Sequence, residues 1–138
     1  MLSKKTQYAF RALVYLAENY GKGPVLISNI STRKKIPLKF LENILNELKK
    51  ADLLESKKGK GGGYSLKFSP RQINLATVIR VVNGPIALLP CVSLNFYEKC
   101  DDCDEDICGL RKMMTITRDA TLKILEKKTL EDILLVGV

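Results

Sequence analysis

The sequence predicts a mainly α-helical fold with one small β-hairpin and a long C-terminal helix, on three observations. Across residues 28–68, a short helical segment, an Ile36-Pro37 turn and a longer amphipathic segment lead into a hairpin with a glycine-filled, lysine-rich tip. Positive charge collects in this half: residues 1–90 hold 16 Lys/Arg against 5 Asp/Glu, whereas residues 91–138 hold 7 against 10. Beyond the hairpin, Leu110, Met113, Met114, Thr117, Thr121, Ile124 and Leu125 recur at helical spacing. Helix, turn, helix and basic hairpin, in that order, make the layout of a winged helix-turn-helix.

Residues 2–20 read as the first helix, with Ala9, Ala12, Leu13, Leu16, Ala17 and Tyr20 on one face, ended by Gly21, Gly23 and Pro24. Val25-Leu26-Ile27 is an apolar lead-in, and Ser28 is placed to cap the next helix, residues 28–35. Pro37 is expected at the first position of the second helix, residues 38–51, where its missing N–H costs nothing. There Leu41, Ile44, Leu45 and Leu48 keep the i, i+3, i+4, i+7 spacing of a buried stripe. Residues 53–56 begin a strand, 57–63 form the tip, and the alternating Tyr64-Ser65-Leu66-Lys67-Phe68 returns as its partner. Ser69-Pro70 is a turn, and Asn74 caps a helix that runs to Val82 and stops at Asn83-Gly84-Pro85. Thr129 caps a last short segment, residues 130–135, with Glu131 and Asp132 in its first turn.

Turning 100° per residue from the buried stripe places Lys39, Asn43, Asn46 and Lys50 on the opposite face of the second helix, with Glu42 at its flank. Asparagine bonds adenine edges, lysine bonds guanine or phosphate, and a carboxylate accepts from cytosine N4. An ordinary solvated helix face has the same composition, but the adjoining basic hairpin favours DNA. Lys57, Lys58 and Lys60 supply charge for phosphates, and the tip glycines permit positive φ and close backbone approach. Ser28, Gly61, Gly62 and Tyr64 complete the candidate DNA contacts. A nucleotide-binding P-loop is excluded, because the glycines lead into a strand and no Gly-Lys-Ser/Thr opens a helix.

The formal net charge of +8, with 46% hydrophobic and 28% charged residues, describes one globular domain that meets nucleic acid. No apolar run approaches the roughly 20 residues of a membrane span, and no signal-peptide core is present, so a cytoplasmic protein is expected. Histidine is absent, the carboxylates crowd one loop, and no serine stands in a nucleophile motif, which argues against an enzyme.

All four cysteines, Cys91, Cys100, Cys103 and Cys108, lie within 18 residues, spaced C-x8-C-x2-C-x4-C. So close a grouping indicates a shared role, and three remain open: an iron–sulfur cluster, a structural zinc, or thiol chemistry. Thiolates ligate both iron–sulfur clusters and zinc. Zinc sites favour two tight pairs, and only Cys100 and Cys103 form one. A stable disulfide is disfavoured by a reducing cytosol. Glu98, Asp101, Asp102, Asp104, Glu105 and Asp106 surround the cysteines; their charge lowers the potential of an anionic cluster or keeps an exposed loop soluble.

Phe40-Leu41-Glu42-Asn43-Ile44-Leu45, then Leu48-Lys49-Lys50-Ala51-Asp52-Leu53, then Gly59-Lys60-Gly61-Gly62-Gly63-Tyr64 resemble the Rrf-two (Rrf2) family of bacterial transcriptional regulators, the IscR, NsrR and CymR group. Tyr8-Ala9-Phe10-Arg11-Ala12-Leu13 and Asn83-Gly84-Pro85 fit it too, so the resemblance spans nearly the whole chain. Asp52 departs from it, standing where the family usually has glycine; a left-handed turn tolerates Asp.

The resemblance implies a dimeric regulator of a pseudo-palindromic double-stranded operator. It makes residues 1–85 the DNA-binding region, 86–109 a sensor loop and 110–138 a dimerisation helix with its C-terminal segment. In the family this helix crosses its twin, which puts Leu110, Met114, Thr117, Thr121 and Ile124 at a homodimer interface. Cluster-binding members carry three cysteines here, and Cys91 and Cys108-Gly109-Leu110-Arg111 match the first and last positions, with Cys100 or Cys103 between. An iron–sulfur cluster, 2Fe-2S or 4Fe-4S, is therefore expected, with zinc as runner-up. Some members take a fourth ligand from an Asp in the first helix or from a His; Gln7 matches the former, and the extra cysteine could complete an all-thiolate set. Other members are cluster-free and sense metabolites, thiol oxidation or a partner protein in sulfur metabolism, which is the alternative reading.

Overall fold

The computed structural model describes residues 2–137. Its helices are α1 (Lys4–Glu18), α2 (Ile27–Lys34), α3 (Leu38–Lys50), α4 (Leu75–Val82), α5 (Gly109–Lys127) and α6 (Leu130–Val136). Strands β1 (Leu54–Lys57) and β2 (Gly63–Leu66) form one antiparallel hairpin between α3 and α4, with Leu54 opposite Leu66 and Lys57 opposite Gly63. The predicted mainly α fold with a small β-hairpin is what the chain adopts.

One apolar core organises the helix-turn-helix and the hairpin. From α1 it takes Ala9, Ala12, Leu13, Leu16 and Ala17; Tyr20, expected on the same face, is instead exposed beyond the helix end. From α3 it takes Leu41, Ile44, Leu45 and Leu48, all fully buried as their spacing predicts. Burying a leucine or isoleucine side chain contributes about 1.5–3 kcal/mol, so this stripe fixes the rotation of α3 about its axis. Two contacts with α1 add to it: Tyr8 and Phe40 meet edge to face with ring centroids 5.7 Å apart, and Lys5 bonds Glu47 at 2.7 Å.

The turns explain how the helices meet. α2 ends on Lys35 at φ 53°, and the Ser31 hydroxyl donates to the Ile36 carbonyl at 2.6 Å, closing the turn. α3 ends in a Schellman motif: Asp52 N–H bonds the Lys49 carbonyl at 2.9 Å, and Leu53 N–H bonds the Leu48 carbonyl at 3.0 Å. Asp52 carries the motif's left-handed residue, at φ 68°, so the departure from glycine leaves the turn intact. Two expected helix starts move. α2 begins at Ile27 with Leu26 as its cap, so Ser28 lies inside the first turn and does not cap; Pro37 is the cap of α3 and precedes its first helical residue.

Asn74 and Thr129 cap α4 and α6 as expected. The Asp132 carboxylate accepts the Thr129 N–H at 2.8 Å, and this bond holds its carboxyl below the usual range. The two caps also face each other: Leu75 N–H bonds Lys128 O at 2.9 Å and Leu130 N–H bonds Ile73 O at 3.1 Å. Leu130 is fully buried in the same core as α1. At the other end of α4, the Asn83 side chain accepts from Ser3 N–H at 3.0 Å and from the buried Thr6 hydroxyl at 2.9 Å, tying the start of α1 to the end of α4.

Candidate nucleic-acid interface and cysteine loop

With its apolar stripe fixed inward, α3 presents Lys39, Glu42, Asn43, Asn46 and Lys50 to solvent. None of them has a hydrogen-bond or ion-pair partner among the described residues, whereas Glu47, at the edge of the face, is spent on Lys5. Arg33 and Lys35 are also exposed, where α2 turns into α3. They were not among the expected contacts; the run Arg33-Lys34-Lys35 was the available signal. Ser28 is exposed on the first turn of α2.

The hairpin is docked onto the body through residue 25. Val25 N–H bonds Tyr64 O, and Tyr64 N–H bonds Val25 O, each at 2.8 Å. This close approach depends on Gly63: a Cβ there would stand 2.2 Å from the Val25 carbonyl oxygen. Gly62 is buried within the tip, where a Cβ would stand 2.2 Å from the Lys57 carbonyl oxygen, and Gly59 and Gly61 turn the chain at positive φ. Tyr64 is half-buried against the core. Gly62 and Tyr64 thus shape the wing from inside, while Lys57, Lys58, Lys60 and Gly61 are exposed around it. No salt bridge neutralises the three lysines among the described residues.

The cysteines divide. Cys91 is buried in a 3-10 turn, Pro90–Val92, which is pinned to α5 by Arg118 donating to the Val92 carbonyl at 2.7 Å. Cys108 caps α5, its sulfur accepting the Arg111 N–H at 3.4 Å. Cys103 and Cys108 influence each other's titration. The pair titrates apart: the Arg111 amide and then the Cys103 thiol pull Cys108 below the usual 9.0, while its bond to Cys108 pushes Cys103 up to about 11. Tyr97 donates to Glu105, which keeps the phenol protonated above its usual range, and Glu105 pairs with Arg111 at 3.8 Å. Tyr97, Glu105 and Arg111 staple the loop to α5, and spacing gave no sign of them.

The donor set suits a thiolate-bound cluster or zinc, but the folded loop does not converge on one point. Cys91 is buried, Cys100 is exposed, and among the described residues no three Cys, Asp or Glu side chains are grouped to hold a metal ion.

On α5 only Leu122 is buried. Leu110, Met113, Ile116 and Ile124 are each more than half exposed, Thr117 and Thr121 are exposed between them, and Met114 is half-buried. Among the described residues, no helix is long and apolar enough to cross a membrane.

A helix-turn-helix, an exposed polar and basic face and a lysine-tipped hairpin define a winged-helix DNA-binding regulator. A family model described as Rrf2, iron-dependent transcriptional regulator, matches residues 2–135, and the chain belongs to that family. It is 40% identical to an rrf2-like HTH-type transcriptional regulator of Rhodobacter capsulatus, over 99% of this chain and 94% of the relative. The structure of CymR, the global cysteine regulator of B. subtilis, superposes with a TM-score of 0.81 at 28% identity, covering 100% of this chain and 98% of that one. IscR of T. potens superposes at 0.75 and 28% identity, covering 97% and 85%. The protein is a transcriptional regulator and not an enzyme.

Proposed function

We propose that a homodimer of this chain binds a pseudo-palindromic operator in a repressor-like manner, with α3 in the major groove and the wing along the flanking backbone. The observation that carries this is the unpaired face of Lys39, Asn43, Asn46 and Lys50 beside the three unneutralised wing lysines. The apolar stripe along α5 supports a partner copy there, and two linked readers match half-sites about one helical turn apart. Selection from a random duplex pool tests the reading. A two-fold motif with half-sites roughly 10 base pairs apart is expected, and Asn43→Ala should relax preference at one position in each half. A pool without enrichment would refute sequence-specific binding.

Control is assigned to the loop of residues 91–108. The family's iron-dependent description supports an iron–sulfur cluster as the group its thiols take up, of 2Fe-2S or 4Fe-4S type. Iron and sulfide analysis of anaerobically purified protein tests this, with stoichiometric colour expected and lost in Cys108→Ala. Tightly held zinc would make the loop a structural clip. A second reading, a cluster-free regulator responding to thiol state, draws on the likeness to a cysteine regulator and on the absence, among the described residues, of three grouped metal-ligating side chains.

A further inference from the structure

We infer that Lys22, in the loop between α1 and α2, seats a phosphate of the operator beside the wing, a contact outside both α3 and the hairpin. The inference rests on the reading of this chain as a winged-helix DNA binder, and adds a positioning residue to it. Lys22 stands between Gly21 at φ 80° and Gly23 at φ 91°, two left-handed residues that turn the chain sharply there. Hydrogen bonds hold the loop in place. Lys22 N–H bonds the Asn19 carbonyl at 3.1 Å, and the Asn19 side chain donates to the Tyr15 carbonyl at 2.8 Å. Lys22 and Asn29 line one groove of about 340 Å³ together with the wing glycines Gly61 and Gly62.

The chemistry of the groove is one-sided. Lys22 and Asn29 are exposed, and neither side chain has a partner among the described residues. The Gly61 N–H is likewise unpaired and exposed. No carboxylate lines the groove, and Glu18, the acidic residue nearest to Lys22 in sequence, is paired with Lys34 at 4.0 Å. A cation flanked by neutral donors, with no opposing carboxylate, fits a phosphate diester. Position selects the source of that phosphate. Gly61 belongs to the same tip as Lys57, Lys58 and Lys60, so a strand held by the wing lysines runs past the groove. Val25 and Tyr64 exchange two bonds of 2.8 Å, which fixes the loop to the wing and gives the two contacts a constant spacing along the strand. Lys22 thereby sets how the wing lies on the backbone and not which bases are read.

Salt titrations of duplex binding by the full chain test the seat. Lys22→Ala should flatten the fall of log K with log salt by about 2, one phosphate lost per half of the dimer at about 0.9 each, and Lys22→Arg should restore the slope. Single methylphosphonates placed along an operator selected from the random pool then locate the contact. One neutralised phosphate in each half-site should weaken the unmodified protein severalfold and leave Lys22→Ala unaffected. It should lie within a few nucleotides of the phosphate to which Lys60→Ala becomes indifferent. An unchanged slope in Lys22→Ala, or a scan in which no phosphate falls silent in that variant, would overturn the inference. Inorganic phosphate is the second arm: a rise in melting temperature that Lys22→Ala abolishes, with the duplex slope unaltered, would mark a free-anion site and overturn it as well. The two levels separate in the unmodified protein. Binding to every duplex without salt dependence would refute the DNA-binding reading and the seat with it, whereas a steep slope that Lys22→Ala keeps refutes the seat alone.

Discussion

Replacing Lys57, Lys58 and Lys60 together with Ala removes three exposed ammonium groups per wing, none of them engaged in a salt bridge among the described residues. The hairpin is held by its ladder and by the Val25 bonds, so the substitution should leave the fold intact. The two wings of the proposed dimer carry six such groups. Each phosphate contact contributes about 0.9 to the fall of log K with log salt. If all of them touch phosphate, the substitution flattens that slope by about 5, and if one per wing does, by about 2. Fluorescence anisotropy with a 30-base-pair operator and with a scrambled duplex, each between 50 and 200 mM salt, measures both slope and specificity. Affinity should fall alike for the two duplexes, because phosphate contacts carry no sequence information. An unaltered slope, or a loss confined to the operator, would refute the wing as a backbone clamp.

Three further outcomes follow from the same geometry. Gly63→Ala should cost about 2 kcal/mol in urea unfolding, because the new Cβ collides with the Val25 carbonyl; an unchanged midpoint would mean the wing is not docked there. Ile124→Glu should give monomers in sedimentation, since it puts a charge on the exposed apolar stripe of α5, and a monomeric unmodified protein at micromolar concentration would sink the dimer. Reduced, metal-free protein should alkylate at Cys108 before Cys103. Cys108 is held below 9.0, so its thiolate persists as pH falls, whereas Cys103, at about 11, reacts only as pH rises. Iodoacetamide labelling across pH 6–10 reads the order, and a Cys103-first profile would refute it.

The helices were legible where one local rule decided them. The stripe in α3 is a matter of periodicity, and the tolerance of Asp at a left-handed turn follows from side-chain sterics at residue 52. Ser28 failed as a cap because the start of α2 is set by a distant pairing: Val25 is drawn into a bridge with Tyr64, and the cap moves two residues back to Leu26. Tyr64 and Gly62 illustrate the same limit, since their burial depends on how the wing docks. Cysteine spacing identified a shared loop but not its internal grouping. That depends on Arg118 reaching back 26 residues to Val92 and on the Arg111 N–H that fixes Cys108 as the cap of α5.

The bonds between residues 73–75 and 128–130 make the far end of α5 a fixed pivot, with Leu130 anchored in the core just past it. From there the helix runs 19 residues, about 28 Å at 1.5 Å per residue, to Cys108. Its buried residue, Leu122, and its ion pair from Arg80 to Glu126 both lie near the pivot, so the Cys108 end overhangs. A swing of 10° at Lys128 carries that end through about 5 Å, more than the roughly 3.4 Å between successive base pairs. Should two copies pair through α5 on an operator, as proposed, a small change in the cysteine loop would be levered into a displacement on the scale of operator register.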